Sequence, residues 1–337
     1  MIRLKIERSP IFSRIQKDET LSKGSPSIEK LPSYGGQALI EGVLMRGAHA
    51  VAAAMRAPDG KIVIHTEALT GIYTSRWIKI PFVRGLVALW DALGLGMRYL
   101  TMAANLQSEE DEKLEGRALT LTLVGSMLFA VAIFFALPAF LGYLTEWLLG
   151  FSNWWSNLAE GLIRLVIVVG YIWLIGRMPE IQRVFSYHGA EHKTINAYEA
   201  GVDLTVENVS KQSLEHPRCG TAFMLTLVLF SVVVFTLIGP LPPFWRIASR
   251  VIAVPLLAGL AYEYIRWTAR NLDSPLVRLL IRPNLALQSL TTNQPDGPII
   301  EVAITAFQAM LEKETELAAL KTTVLAIEAR PLPTSSD

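Results

Sequence analysis

Two stretches of this chain run without a charged residue for longer than a bilayer is thick, and nothing else in the sequence restricts its fold as strongly. Ala118 to Thr145 and Thr221 to Trp245 contain no Asp, Glu, Lys or Arg. A helix rises about 1.5 Å per residue, so ~20 residues cross roughly 30 Å of hydrocarbon. Gly239-Pro240 and Pro242-Pro243 mark the end of the second stretch. Two weaker stretches accompany these: Gly161 to Gly176 carries Arg164, and Ile247 to Trp267 carries Arg250 and Glu263. Each of those charges has to snorkel or face protein. The expectation is a mainly α membrane protein with four transmembrane helices, at 118–145, 161–177, 221–241 and 247–267. With 51% hydrophobic and 18% charged residues and a mean hydropathy of +0.36, the 337-residue chain is too apolar for an ordinary soluble enzyme.

Basic residues are retained preferentially on the cytoplasmic side of a membrane. Segment 145–160, TEWLLGFSNWWSNLAE, has no Lys or Arg and is rich in tryptophan, as an outer interfacial loop would be. The N-terminal region, segment 178–220 and the tail after Trp267 all carry several basic residues. Both termini and the 178–220 loop are therefore expected in the cytoplasm, against the dissent of Arg246 and Arg250, which fall near the outer face. Residues 1–33 begin with basic residues but develop no apolar signal core, and read as a flexible cytosolic segment. A net charge of +1 gives no reason to expect a nucleic-acid partner.

Outside the spans, residues 34–76 read as a small cytosolic β-rich unit, with a hairpin turning at Pro58-Asp59-Gly60 and a short glycine-bracketed strand in YGGQALIEGVLMRG. Residues 77–108 read as an amphipathic or interfacial helix whose Arg84, Asp91 and Arg98 recur every seven residues on one stripe. After a turn at Pro295-Asp296-Gly297, the tail 268–330 carries an amphipathic helix suited to docking on its own protein or to joining copies in a homo-oligomer. Residues 331–337 read as disordered. Glu41, Arg46, Arg84 and Asp91 form either a polar site under the bundle or a salt-bridge network that docks the hairpin unit on it.

The chemistry concentrates in YHGAEHKTINAYE, residues 187–199. His188 and His192 are four apart and share a helical face, and Glu191 lies between them. His-x-x-Glu-His is the inverted order of the zinc-peptidase motif, in which the histidines bind zinc and the glutamate polarises water. His216 and Cys219 follow in HPRCGTAF, at the other end of the same 178–220 loop. Imidazole and thiolate are donors that zinc prefers. The lone cysteine excludes an internal disulfide and reads as a packing residue or a ligand. If His188, His192, His216 and Cys219 all coordinate, the site is a closed structural one. With three protein ligands, a fourth position is left for water and Glu191 is placed as general base. Glu263, by analogy with the downstream glutamate of inverted-motif peptidases, and Glu199, seven residues after His192, are further ligand candidates. The plainer alternative is a polar helix end whose histidines are satisfied by backbone carbonyls, with Glu263 neutralising a nearby arginine.

The motifs GGQALIEGVLMRG, PFVRGLVALWDALGLGM, YHGAEHKTINAYE, HPRCGTAF and TTNQPDGPIIEVAI, in this order around four apolar stretches, resemble the YqhQ-like family of bacterial integral membrane proteins. The resemblance runs from Tyr34 to Phe307. It implies a predicted metal-dependent enzyme of the inner membrane and names no substrate. The expectation is a cytoplasm-facing, membrane-embedded metalloenzyme, zinc-dependent and hydrolytic, acting on a peptide or a lipid-associated molecule. The alternative is a non-enzymatic scaffold or transporter-like protein with a structural metal.

Overall fold

In the computed structural model, the described residues are 34–71, 75, 77, 80–108, 116–239 and 241–328. The expectations for 1–33 and 331–337 fall outside them. Four strands come first: β1 (Gly35–Leu39), β2 (Gly42–Arg46), β3 (Ala50–Arg56) and β4 (Ile62–Ala68), paired antiparallel in the order β1-β2-β3-β4. The expected single apolar strand in YGGQALIEGVLMRG is in fact a hairpin. It turns at Ile40-Glu41, where Glu41 takes a positive φ of 52°. Pro58-Asp59-Gly60 joins β3 to β4 as expected.

The central strands β2 and β3 are buried on both faces, and their alternation shows how. Val43, Met45, Ala52 and Ala54 pack on one side with α4 (Pro179–Glu199) and α10 (Gly297–Glu328). Leu44, Val51, Ala53 and Met55 pack on the other with Leu95, Tyr99 and Ala103 of α1 (Val83–Gln107). Period-two alternation with apolar residues on both faces requires helices above and below the sheet. The alanine-rich β3 lets them approach closely. Asp296 caps α10 by accepting from Ile299 N–H at 3.0 Å, and Glu314, further along, accepts from the N–H groups of His49 and Ala50. The C-terminal amphipathic helix thus docks on its own protein, burying Ile300, Val302, Phe307 and Met310.

The apolar half contains α2 (Gly116–Leu149), α3 (Asn153–Ile175), α6 (Gly220–Ile238), α7 (Pro243–Ile252), α8 (Val254–Arg270) and α9 (Pro275–Gln288); the short α5 (Val206–Ser210) lies before it. Three helices are long and apolar enough to cross a membrane, or four if the bent pair of α7 and α8 counts as one span. Segment 145–160 is a correction to the expected loop: α2 continues to Leu149 and α3 starts at Asn153, leaving a connection of three residues. Helix α9, which interrupts the tail, was not anticipated.

Arg164, Arg246 and Arg250 face protein rather than snorkelling. All three donate to Glu160, which is 1% exposed: Arg164 Nη2 at 2.9 Å, Arg246 Nε at 3.0 Å and Arg250 Nε at 2.8 Å. Asn157, Ser156 and Ser231 take further guanidinium protons. Arg164 Nε also reaches Phe134 O at 3.0 Å, inside a π-helical turn of α2 (Ala132–Ala136). A π turn widens the helix and frees a carbonyl, and here a buried arginine takes that carbonyl up. The dissenting arginines of the sequence are thus neutralised within the bundle.

Candidate metal centre

Helix α4 starts with Pro179 at its first position, where the missing N–H costs nothing, and carries His188 and His192 on one face. Their ring centroids are 4.4 Å apart. His188 Nδ1 lies 2.9 Å from Thr291 O, and His192 Nδ1 lies 2.6 Å from Leu214 O. A carbonyl oxygen only accepts, so each Nδ1 carries the proton and each Nε2 keeps a lone pair. His188 Nε2 is 3.2 Å from Cys219 Sγ, and His192 Nε2 is buried with no hydrogen-bond partner among the described residues. One donor atom each from His188, His192 and Cys219 lies within 4.8 Å of the others. Histidines that bind metal usually give their second nitrogen to a carbonyl or carboxylate, which fixes tautomer and ring orientation. Both do so here.

The carbonyls are themselves held by the helix that carries the histidines. Lys193 Nζ donates to Ser210 O at 2.8 Å and to Gln212 O, and Asn196 Nδ2 donates to Ser213 O and Glu215 O, which fixes the segment presenting Leu214. On the other side Asn293 N donates to Phe185 O at 3.0 Å, so residues 291–293 run against α4. Gly189 permits that approach, since a Cβ there would lie 2.2 Å from Asn293 O. Gln288 of α9 clamps the His216 backbone, accepting from its N–H at 3.1 Å and donating to its carbonyl at 2.7 Å. Cys219 caps α6, its sulfur accepting from Thr221 N–H at 3.4 Å.

Glu191 is 5% exposed and lies toward the sheet. Gly36 N–H of β1 donates to its carboxylate, while Oε2 is buried with no partner among the described residues. Burial pushes its pKa up to about 7, against the opposing pull of His188 and of the Gly36 N–H. Gly36 is a glycine for the same reason as Gly189: a Cβ would meet Leu44 O at 2.4 Å and the Glu191 side chain at 3.0 Å.

The remaining expected site residues are placed differently. His216 stands beside the cluster but outside its three-donor group: its ring is 5.6 Å from that of His192, and its Nε2 faces Glu199 Oε2 at 3.9 Å. Glu199 also pairs with Arg218. Burial pushes the Glu199 carboxyl up, but His216 and Arg218 outweigh it and hold the group below its ordinary value. Burial lowers the His216 pKa. Glu263 is a correction. Arg84 grips its carboxylate through Nε at 2.6 Å and through Nη2, and Phe82 N–H donates to it at 3.1 Å, so it docks α8 on α1 instead of joining the histidines. Glu41 likewise pairs with Arg183 and accepts from Tyr187 O–H at 3.2 Å, tying the sheet to α4. Glu41 and Arg84 thus serve the salt-bridge alternative; the side chain of Asp91 lies outside the described residues. Thr291, Leu214 and Gln288 were not singled out from sequence, because two of them act through backbone carbonyls that leave no side-chain signature.

Residues 80–313 match the family model described as "Protein of unknown function (DUF1385)". The chain belongs to that family. It is also 37% identical over 305 residues to "Uncharacterized protein YqhQ" of Bacillus subtilis (strain 168), an alignment covering 84% of this chain and 93% of that one. No solved structure matches. The whole cluster, from His188 to Thr291, lies inside the family match.

Proposed function

We propose that this protein is a membrane-embedded, metal-dependent enzyme whose site faces the cytoplasm, with zinc as the metal and hydrolysis as its chemistry. One observation carries the reading. Both histidine Nδ1 atoms are committed to carbonyls, which leaves two Nε2 lone pairs converging with one thiol in a buried setting. Buried polar atoms are nearly always satisfied, and His192 Nε2 and Glu191 Oε2 are buried with no hydrogen-bond partner among the described residues. An ion would satisfy the first. The donor set of two imidazoles and one thiolate suits zinc, which supplies Lewis-acid activation of water and of a carbonyl or phosphoryl oxygen.

The chain's own residues do the rest. Thr291 and Leu214 aim the imidazoles, Gly36 N–H orients the Glu191 carboxylate, and this reading assigns the unpartnered Oε2 of Glu191 the role of taking a proton from water. Embedding in the bilayer is supported by the exposed apolar faces of the long helices, where Leu121, Leu128, Val166 and Leu237 are each more than 60% exposed. The basic residues of 178–220 favour the cytoplasmic side for the site and both termini. A peptide or a lipid-associated molecule fits a site at that surface.

Purified protein should contain about one zinc per chain, lost in Cys219→Ala and in His188→Ala, and kept in Glu191→Gln. Glu191→Gln should at the same time abolish turnover of whichever peptide or lipid-ester substrate the wild type hydrolyses. Wild-type protein without stoichiometric metal would sink this reading. The second reading, a scaffold or transporter-like protein with structural metal, draws on the burial of His192 and Cys219, 1% and 5% exposed. It requires metal in the wild type, kept in Glu191→Gln, with no hydrolytic turnover in either protein.

A further inference from the structure

The first half of α1 presents an apolar stripe that the described residues leave exposed. Phe82, at the cap, and Leu86, Trp90 and Leu93 are spaced four, four and three apart, which puts them on one helical face; all four are exposed, Trp90 to 65%. Trp77 and Ile80, just before the helix, are exposed as well. Further along, the helix changes character: Leu95, Tyr99 and Ala103 are buried against the sheet, and the exposed side carries Arg98.

The depth of that stripe is set by α8. Gly85 and Gly259 meet so closely that a Cβ on Gly85 would lie 2.8 Å from Gly259 Cα, and one on Gly259 would lie 3.0 Å from Phe82 O. Small residues at a crossing let two backbones touch, which is how helices commonly associate in lipid. From Gly259 to Arg270, the exposed end of α8, the axis runs about 16 Å, or about half the thickness of a hydrocarbon core. Leu256 and Leu260, which flank Gly259 in sequence, are exposed too, so α1 begins at the level of an open apolar surface of the bent α7–α8 span.

The start of α1 is also built to do without water. A helix leaves its first four N–H groups without intrahelical acceptors, and at a protein surface water takes them up. Here Phe82 N–H donates to Glu263 Oε1 at 3.1 Å, Val83 N–H to Pro81 O at 2.8 Å, and the N–H groups of Arg84 and Gly85 to Ile80 O and Phe82 O, each at 3.1 Å. Ile80 N–H reaches Trp77 O at 3.2 Å, and Pro81 has no N–H to satisfy. The Arg84 guanidinium is neutralised by Glu263. Backbone at bilayer depth is tolerated only where protein satisfies it, and a charge there only where it is paired. Resting on the reading that the long helices span a bilayer, we propose that the first half of α1 is embedded in one leaflet with its Phe82, Leu86, Trp90 and Leu93 face against acyl chains, so that the helix packed on the sheet is itself a membrane anchor.

Nitroxide labels on the full-length chain in vesicles of phosphatidylethanolamine and phosphatidylglycerol test this, through collisions with oxygen, which concentrates in hydrocarbon, and with a water-soluble nickel chelate, which stays out of it. The wild type, whose lone thiol Cys219 is buried, gives the background. Labels at Leu86→Cys and Trp90→Cys should match one at Leu128→Cys on the exposed face of α2, with frequent oxygen and rare nickel collisions. A label at Lys61→Cys, in the exposed turn between β3 and β4, should show the opposite order. Nickel collisions at Leu86 or Trp90 as frequent as at Lys61, with Leu128 still in lipid, would overturn the proposal and leave the spans standing. Labels shielded from both reagents would mean that another protein surface covers the stripe, and would overturn it too. A Leu128 label open to nickel would overturn the membrane reading and this proposal together.

Discussion

A single methyl group on Gly189 should separate His188 from the carbonyl that aims its ring. A Cβ at that position would lie 2.2 Å from Asn293 O and 2.8 Å from Leu214 Cδ2. Carbon–oxygen contacts settle near 3.3 Å, so the backbone at Asn293 must retreat from α4 by roughly 1 Å, while the Leu214 methyl can turn aside. Retreat of that size stretches the neighbouring His188–Thr291 bond from 2.9 Å past the ~3.2 Å limit of a useful hydrogen bond. Overpacking costs about 1–3 kcal/mol, and the lost bond about 0.5–1.5 kcal/mol. Replacing a helical glycine by alanine returns about 0.5–1 kcal/mol. The net expectation for Gly189→Ala is a loss of about 2 kcal/mol in stability and, on the metal-centre reading, of about 10–100-fold in zinc affinity. Thermal unfolding and chelator competition on detergent-purified protein read the two effects. Gly170→Ala is the control, since no described atom lies within 4 Å of its Cβ, and it should leave zinc affinity unchanged and stability no lower than wild type. A Gly189→Ala protein that melts and binds zinc like wild type would refute the account of how His188 is aimed.

Three further outcomes follow from the contacts described. Glu160→Gln removes the one carboxylate that Arg164, Arg246 and Arg250 share, and should cost about 3–5 kcal/mol in the thermal unfolding of the bundle; an unchanged melting curve would mean the network contributes nothing. Glu263→Gln should keep the full zinc content, because the Glu263 carboxylate is taken up by Arg84 and Phe82 N–H; loss of zinc by elemental analysis would restore it as a ligand. Glu314→Ala strands two strand-end amides, of His49 and Ala50, and should lower stability by about 1–3 kcal/mol without touching zinc content.

The parts legible in the sequence are those with a periodic or compositional signature. Uncharged runs located α2 and α6, the Pro-Asp-Gly turn located the β3–β4 hairpin, and four-residue spacing put His188 and His192 on one face. What the sequence hid depends on partners far away along the chain. Arg164 reads as a fault in a membrane helix until Glu160, one turn earlier, is seen to hold arginines from α7 as well. Glu263 has the charge and depth of a ligand, and only tertiary packing reveals that Arg84, 179 residues earlier, claims it. The Trp-rich segment 145–160 looks like a loop because its polar residues are interspersed. Ser156 and Asn157 instead face the bundle, bonding Gly142 O and Gly239 O.

The position of the cluster follows from α4 serving as a wall for both halves of the fold. Tyr187, Ala190, Ile195 and Ala197 turn one face of the helix into the sheet and α10, while His188 and His192 turn another toward Cys219 at the start of α6 and Thr291 after α9. Glu191 sits on the seam, reached by the Gly36 N–H of the sheet and standing about one turn from His188 on the same helix. A site built this way is incomplete without either half: the apolar helices bring the thiol, and the sheet orients the carboxylate. Substitutions that loosen the sheet on α4, such as Gly36→Ala with its 2.4 Å clash against Leu44 O, are therefore expected to impair the role of Glu191 while leaving the three donors in place. Retained zinc with lost turnover in that variant would separate orientation of the base from binding of the metal, and loss of the metal itself would show that the donors too depend on the sheet.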